Sequence, residues 1–250
     1  MLDLRDNTMI TAMPNIKFQQ IENDFLKIFN DIYFQDNLSK RDFNMYMRSK
    51  EIMNLKKGDT IFNQGDFPKG VYFINNGKAK LCKYGFLGKE QILRFCIEGD
   101  LLGYRSLLCN EEFGAYAEII SDTATVTFLP TETFLHLLKV DSKLSYSMLQ
   151  KIAYELGESS KTITYLAQKT ARERLAEVFL LLEQKLGTDP EGFINICLSR
   201  DEIASLIGSA TESAIRHMSE FKNDGIISVE GRSIKITNHN KLRKIAHISF

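Results

Sequence analysis

Apolar positions along this chain change their period three times. Ile21 to Tyr33 carries Phe25, Ile28, Phe29 and Ile32 at helical spacing, and Ser39 with Asp42 three residues on starts a second helix through Met47. Residues 1–20 show no period and read as an arm. From Leu55 the character changes. Gly58, Gly65, Gly77, Gly88 and Gly99 punctuate short β-rich runs such as TIFN, GVYFI, KAKLCKY and QILRFC. Short strands between regular turn signals predict an antiparallel sandwich or jelly roll, here continuing through YAEIISDTATVTFLP to about Pro130. After Pro130 the period is helical. Leu149, Ile152, Leu156, Ser159, Ile163, Leu166 and Thr170 alternate spacings of three and four, the stripe of a coiled coil. A helix packed on its own β domain would also leave such a stripe. Its length, and its place between two domains, favour a parallel dimer seam in which Ser159 and Thr170 fix register.

The segment LSRDEIASLIGSATESAIRHMSEFKNDGII (198–227) is the most informative. Ser199 caps a short helix, with Glu202 placed to complete a capping box. Ile203, Leu206 and Ile207 give that helix its apolar stripe, and Gly208 supplies the turn. A second helix follows with Ala214, Met218 and Phe221 facing inward and Thr211, Glu212, Ile215 and Arg216 outward. This is the helix-turn-helix pattern, in which the second helix enters the DNA major groove. IISVEGRSIKIT then alternates around a Glu230-Gly231 turn, predicting a β-hairpin and so a winged helix-turn-helix. KLRKIA adds Lys241, Arg243 and Lys244 close together, suited to phosphate contact or to a solvated basic helix.

Composition narrows the classes. With 32 Lys+Arg against 32 Asp+Glu the chain carries no net charge, which argues against coating nucleic acid nonspecifically. From Ser199 onward eight basic residues meet six acidic ones, a mild excess. Cys82, Cys96, Cys109 and Cys197 form no CxxC pair and have no histidine at ligand spacing, so no metal site is expected and the thiols read as reduced. The early acids of MLDLRDN and the absence of a long apolar run give the expectation of a cytoplasmic protein without signal peptide or membrane contact. The four histidines are scattered and no nucleophile–base pairing emerges, so an enzyme is not expected.

Five segments in this order resemble the CRP/FNR superfamily of bacterial transcription regulators: LKKGDTIFNQGD (55–66), VYFINNGKAKL (71–81), EGDLLG (98–103), ARERLAEVFLLL (171–182) and the helix-turn-helix. The resemblance implies an α+β chain with an N-terminal β-roll, or jelly-roll, sensor domain, a long dimerisation helix and a C-terminal winged helix-turn-helix. The corresponding divisions are an arm at 1–20, a cyclic-nucleotide-binding-like domain with flanking helices at 21–140, the dimerisation helix at 141–170 and the DNA-binding domain at 171–250. It also implies a homodimer reading a palindrome in double-stranded DNA, with RNA polymerase as a partner.

The family's sensor chemistry does not carry over. Cyclic-AMP-binding members follow the EGDLLG segment with a ribose-binding glutamate, but Gly103 is followed here by Tyr104. Where their Arg-Ser pair grips the phosphate, this chain reads Phe113-Gly114-Ala115. A buried phosphate without a cation is costly, and Arg105 and Ser106 are expected on the wrong side of the cassette. Cyclic AMP is therefore not the expected effector. Oxygen-sensing members use N-terminal cysteines, and none precedes Cys82; haem would need His136 or a cysteine as axial ligand. No cofactor is expected. Gly103, Tyr104, Arg105, Ser106, Ala115, Ser159 and Ser160 remain as a candidate pocket for an unknown small effector, the two serines serving equally as seam residues. The alternative is a ligand-independent regulator whose β domain is a structural and polymerase-contacting platform.

For DNA, the resemblance places Glu212 and Arg216 at the positions that read the half-site core, of the TGTGA or TTGAT kind. Arg216 can donate twice to guanine and Glu212 can accept from cytosine N4. Thr211 stands where cyclic-AMP members carry an arginine. Ile215 can meet a thymine methyl, and Ser213, Arg200 and Lys222 are candidate phosphate contacts, with Ser199 at the adjoining cap.

Overall fold

The computed structural model describes Phe25, residues 27–85 and residues 88–248. These fall into two compact units, one ending at Gly157 and one beginning at Glu158. The expected arm at 1–20 lies outside the described residues.

In the first unit two antiparallel four-stranded sheets form a roll. Its strands are β1 (Glu51–Lys56), β2 (Thr60–Phe62), β3 (Gly70–Asn76), β4 (Lys78–Tyr84), β5 (Glu90–Ile97), β6 (Leu101–Leu102), β7 (Tyr116–Ile119) and β8 (Thr123–Pro130). The sheets run β1-β8-β3-β6 and β2-β7-β4-β5. Alternation along each strand sends one set of side chains into the roll. Ile61, Phe62, Ile74, Ala79, Cys96, Leu102, Ala117, Ile119 and Val126 fill the space between the sheets. The opposite face of the first sheet offers Val71, Phe73, Leu101 and Leu129 to a helical layer. Gly77 turns β3 into β4 at φ +100°, and a Cβ there would lie 2.6 Å from that of Ala124, so both conformation and space require glycine.

The helices of that layer are α1 (Asp31–Asn37), α2 (Lys40–Ser49), α4 (Thr131–Val140) and the start of α5 (Ser142–Gln168); α3 (Tyr104–Cys109) is a short helix within the roll. Phe25, Phe29, Phe34, Tyr46, Phe134, Leu137, Leu144 and Met148 bury against the sheet. The single helix expected over 21–33 is broken. The chain bends at Phe29–Asn30, and the Asn30 side chain accepts from the Tyr33 amide at 2.9 Å, starting a new helix. Ile32, expected on the apolar face, is 73 % exposed. The β region also begins earlier than Leu55: β1 starts at Glu51 and is mostly exposed, with only Met53 and Leu55 turned half-buried toward the core.

α5 is 27 residues long. Leu144, Ser147, Met148 and Lys151 are buried on one side of it. Leu149, Ile152, Leu156, Ile163 and Leu166 are exposed at 61, 38, 69, 69 and 46 %. Thr170 is not a seam residue. The helix ends at Gln168, and Thr170 caps α6 (Ala171–Leu186) in a capping box with Glu173.

The second unit continues with α7 (Arg200–Leu206), α8 (Thr211–Asn223), the hairpin β9 (Ile227–Glu230) and β10 (Ser233–Ile236), and α9 (His239–Ala246). Glu230 pairs with Ser233, so the hairpin loop is Gly231–Arg232, one residue beyond the expected turn. Gly231 has φ +58° and Arg232 does not, the pattern of a type II′ turn with glycine first.

Candidate nucleic-acid interface

The helix-turn-helix is built from local signals. Ser199 Oγ accepts from the Glu202 amide at 3.1 Å while Glu202 accepts from the Ser199 amide at 2.8 Å. Ile203, Ala204 and Ile207 bury under α7, and Ala214, Met218 and Phe221 under α8. The Arg172 guanidinium lies 5.2 Å over the Phe221 ring. Gly208 makes the turn at φ +58°, a conformation that strains residues with a Cβ.

This packing leaves the first turns of α8 facing outward. Glu212, Ile215 and Arg216 are exposed, Arg216 with two thirds of its side chain in solvent. Glu212 and Arg216, four residues apart, share one face. Ala210 at the N-cap provides no side-chain bond, so the first amides of α8 keep their donors for an outside acceptor. Arg216 Nε stands 3.9 Å from Glu220, a loose pair. Glu220 is engaged more closely by His217 at 3.0 Å and also faces Arg172 at 3.6 Å. The hydrogen bond from His217, with the nearby cations, holds the Glu220 carboxyl below its ordinary range.

Other candidate residues have local duties. The Thr211 hydroxyl donates to Asp201 at 2.7 Å. Arg200 Nη2 donates to the Gly231 carbonyl at 3.2 Å, tying the start of α7 to the wing tip. Ser213 is half-buried and Lys222 exposed. Lys241 Nζ donates to the Asp224 carbonyl at 3.3 Å, closing the end of α8. Sequence reasoning passed over Arg232, exposed at the tip of the wing; the signal was its place after Gly231 in a two-residue loop.

In the roll, Gly103, Tyr104, Arg105 and Ser106 gather beside Phe113–Ala115. A Cβ on Gly103 would lie 3.1 Å from the Phe113 ring, and one on Gly114 would lie 3.3 Å from Arg105 Nη2. Arg105 is therefore not on the wrong side of the cassette: α3 turns its guanidinium to Gly114, where it also meets Glu111 at 3.1 Å and Ser106 Oγ at 3.3 Å. Tyr104 is buried and its hydroxyl donates to Glu155. Burial first, then that carboxylate, holds the phenol well above its ordinary range. Glu155 also faces Lys151 at 3.5 Å and Arg94 at 3.8 Å, and both cations reach the buried Asp100. Ser159 and Ser160 belong to the other unit and are exposed. Among the described residues no cluster of three or more His, Cys, Asp or Glu is placed to hold a metal, and no helix is long and apolar enough to cross a membrane.

Two family models match the chain: a cyclic nucleotide-binding domain over residues 52–141 and a Crp-like helix-turn-helix domain over 173–245. The fumarate and nitrate reduction regulatory protein of Escherichia coli K12 is 29 % identical over 206 residues, 81 % of this chain and 80 % of the relative. That of Vibrio cholerae is 28 % identical over 198 residues, 78 % of each. Among solved structures, FixK2 from Bradyrhizobium japonicum has a TM-score of 0.68 at 23 % identity, covering 78 % of this chain and 96 % of that one. TTHA1359 from Thermus thermophilus, a CRP/FNR-family transcriptional regulator, has a TM-score of 0.68 at 24 % identity, covering 79 % and 98 %. These structural likenesses bear on the fold, and they agree with the order of roll, long helix and winged helix-turn-helix. With both domain matches in their expected places, the chain belongs to the CRP/FNR superfamily of DNA-binding transcription regulators.

Proposed function

We propose that the chain acts as a homodimer that reads a palindromic site in double-stranded DNA. The observation that carries this reading is the row of five apolar side chains left in solvent along α5. A single copy gains nothing from that exposure, whereas a second copy laid parallel buries it, at about 25 cal/mol per Å² of apolar surface. Ser159 at a heptad position weakens the seam and fixes its register. Two recognition helices related by a twofold axis then meet half-sites one helical turn apart.

Arg216 and Glu212 read the base edges, Ile215 meets a thymine methyl, and Ser213, Lys222 and the open amides of α8 hold phosphates. Ser199 and Thr211 support this surface rather than touch bases, since both hydroxyls have partners within the domain. Arg200 contacts phosphate from the edge of the wing.

Cyclic AMP is not the effector in this reading. Arg105 brings a cation to the cassette, which removes one objection to a phosphate there. Tyr104 supplies the other: it replaces the ribose-binding glutamate, and its hydroxyl is held by Glu155. The Tyr104–Glu155 link favours a β domain whose contacts to the helix are already made without ligand, leaving its surface to RNA polymerase.

Fluorescence anisotropy on palindromes obtained by in vitro selection, with and without cyclic AMP, tests the whole reading. Tight binding by the effector-free protein, with sedimentation as a dimer, is expected. A monomer in sedimentation, or sequence-blind binding relieved only by cyclic AMP, would overturn it.

A further inference from the structure

Arg174 lies in the first turns of α6, outside the recognition surface, yet it touches both ends of the DNA-reading apparatus. Its Nε donates to the Ile207 carbonyl at 2.6 Å and its Nη2 to the Gly208 carbonyl at 3.2 Å, both in the turn of the helix-turn-helix. Its Nη1 donates to the Lys169 carbonyl at 2.7 Å and approaches that of Leu166 at 3.5 Å, both at the end of α5. The last carbonyls of a helix lack partners within it and carry the negative end of its dipole. Here two such ends, those of α5 and α7, converge on one guanidinium. Its five donors in a rigid fork can meet both, which the single nitrogen of a lysine cannot.

Neighbouring contacts close the same joint. Tyr165 donates its hydroxyl to the Arg174 carbonyl at 2.9 Å, Lys169 Nζ donates to the Ala246 carbonyl at 2.7 Å, and a Cβ on Gly208 would sit 3.4 Å from Leu166 Cδ2.

We propose that Arg174 is a positioning residue for DNA reading: it fixes the recognition helix against the end of the long helix, and so sets which half-site spacing the protein accepts. This rests on the reading of a dimer that binds a palindrome. Fixing α8 to the element that pairs the two copies makes the separation of the two recognition helices a property of the protein. Without that joint each helix-turn-helix still reads its half-site, but the two no longer share one geometry.

The test is anisotropy with the full-length protein, Arg174→Lys and Arg174→Gln, on three kinds of duplex. These are the selected palindrome, the same half-sites with the spacer changed by one or two base pairs, and a lone half-site. Lone half-site affinity should stay within about twofold of wild type, while palindrome affinity falls about tenfold or more and the spacing preference flattens, because simultaneous engagement is what geometry controls. The glutamine variant should lose more than the lysine one. Equal losses on half-site and palindrome would reduce Arg174 to holding the domain folded, and an unchanged spacing preference would remove it from positioning; either overturns the proposal. A wild-type protein indifferent to spacing would instead sink the dimeric reading beneath it.

Discussion

Thr211 donates its hydroxyl to the Asp201 carboxylate at 2.7 Å, tying the first residue of the recognition helix to the helix before it. The bond crosses the glycine turn, so it restrains the angle at which α8 leaves it. Thr211→Val keeps the side-chain shape and removes the donor. Because the pair is solvent-accessible, the loss should fall near the lower end of about 0.5–1.5 kcal/mol, measured by urea denaturation. A neutral result would mean that water replaces the hydroxyl without cost.

In the proposed reading, Arg216 serves base recognition and Lys222 phosphate contact, and variants of the two tell these roles apart. Arg216→Ala should cost roughly 1–3 kcal/mol and relax discrimination at one base pair of the selected site. Lys222→Ala should weaken all sequences alike and shallow the salt dependence by about one counterion. Anisotropy across a salt series and a panel of single-base variants checks both, and a uniform loss for Arg216→Ala would reassign it to the backbone.

Most of the fold and the frame of the helix-turn-helix are legible in the sequence because their signals are short-range. Ser199 and Glu202, the Gly208 turn, and Ala214, Met218 and Phe221 at helical spacing all act within one or two turns of chain. What escapes is either a local cap that a continuing apolar period hides or a contact set over a longer separation. Asn30 breaks a helix whose apolar spacing continues straight through it, and Thr170 satisfies the seam period while its hydroxyl caps the next helix. Arg105 reaches Gly114 only because the chain reverses after α3 at the left-handed Asn110, and the partners of Arg174 in the turn lie more than thirty residues away. No periodicity records such meetings. β1 offers only Met53 and Leu55 in alternation, too short a pattern to mark where the strand begins.

Leu156 and Ile163 are the most exposed members of the seam, at 69 % each. Leu156→Glu or Ile163→Glu should leave the folded single chain within about 0.5 kcal/mol of wild type, as surface changes do. Sedimentation velocity should then show a dimer converted to monomer, with palindrome binding lost. Retention of the dimer would place the interface elsewhere.

Cys82 is buried in the roll near Glu90, Lys80, Tyr116 and Glu118, and burial, reinforced by Glu90, pushes its thiol up to about 12. An unfolded cysteine ionises from about pH 8.5. The unfolded state therefore sheds its proton first between those values. The stabilisation is full below about pH 8.5 and is lost as the pH rises toward 12. Cys82→Ala should flatten part of the alkaline decline in urea midpoints. In the native protein at neutral pH, iodoacetamide should label the exposed Cys109 and Cys197 and spare Cys82 and Cys96.

The contacts of α5 with the roll bear on how the sensor can be studied alone. Leu144 and Met148 lie in the helical layer of the core, Lys151 faces the buried Asp100, and Glu155 receives Tyr104. A truncation at residue 141, where the cyclic nucleotide-binding match stops, would strip two core side chains, take Lys151 from the buried Asp100 and take from the buried Tyr104 hydroxyl its Glu155 acceptor. The smallest fragment that stays monodisperse on expression must run through Glu155, and shorter ones belong in the insoluble fraction.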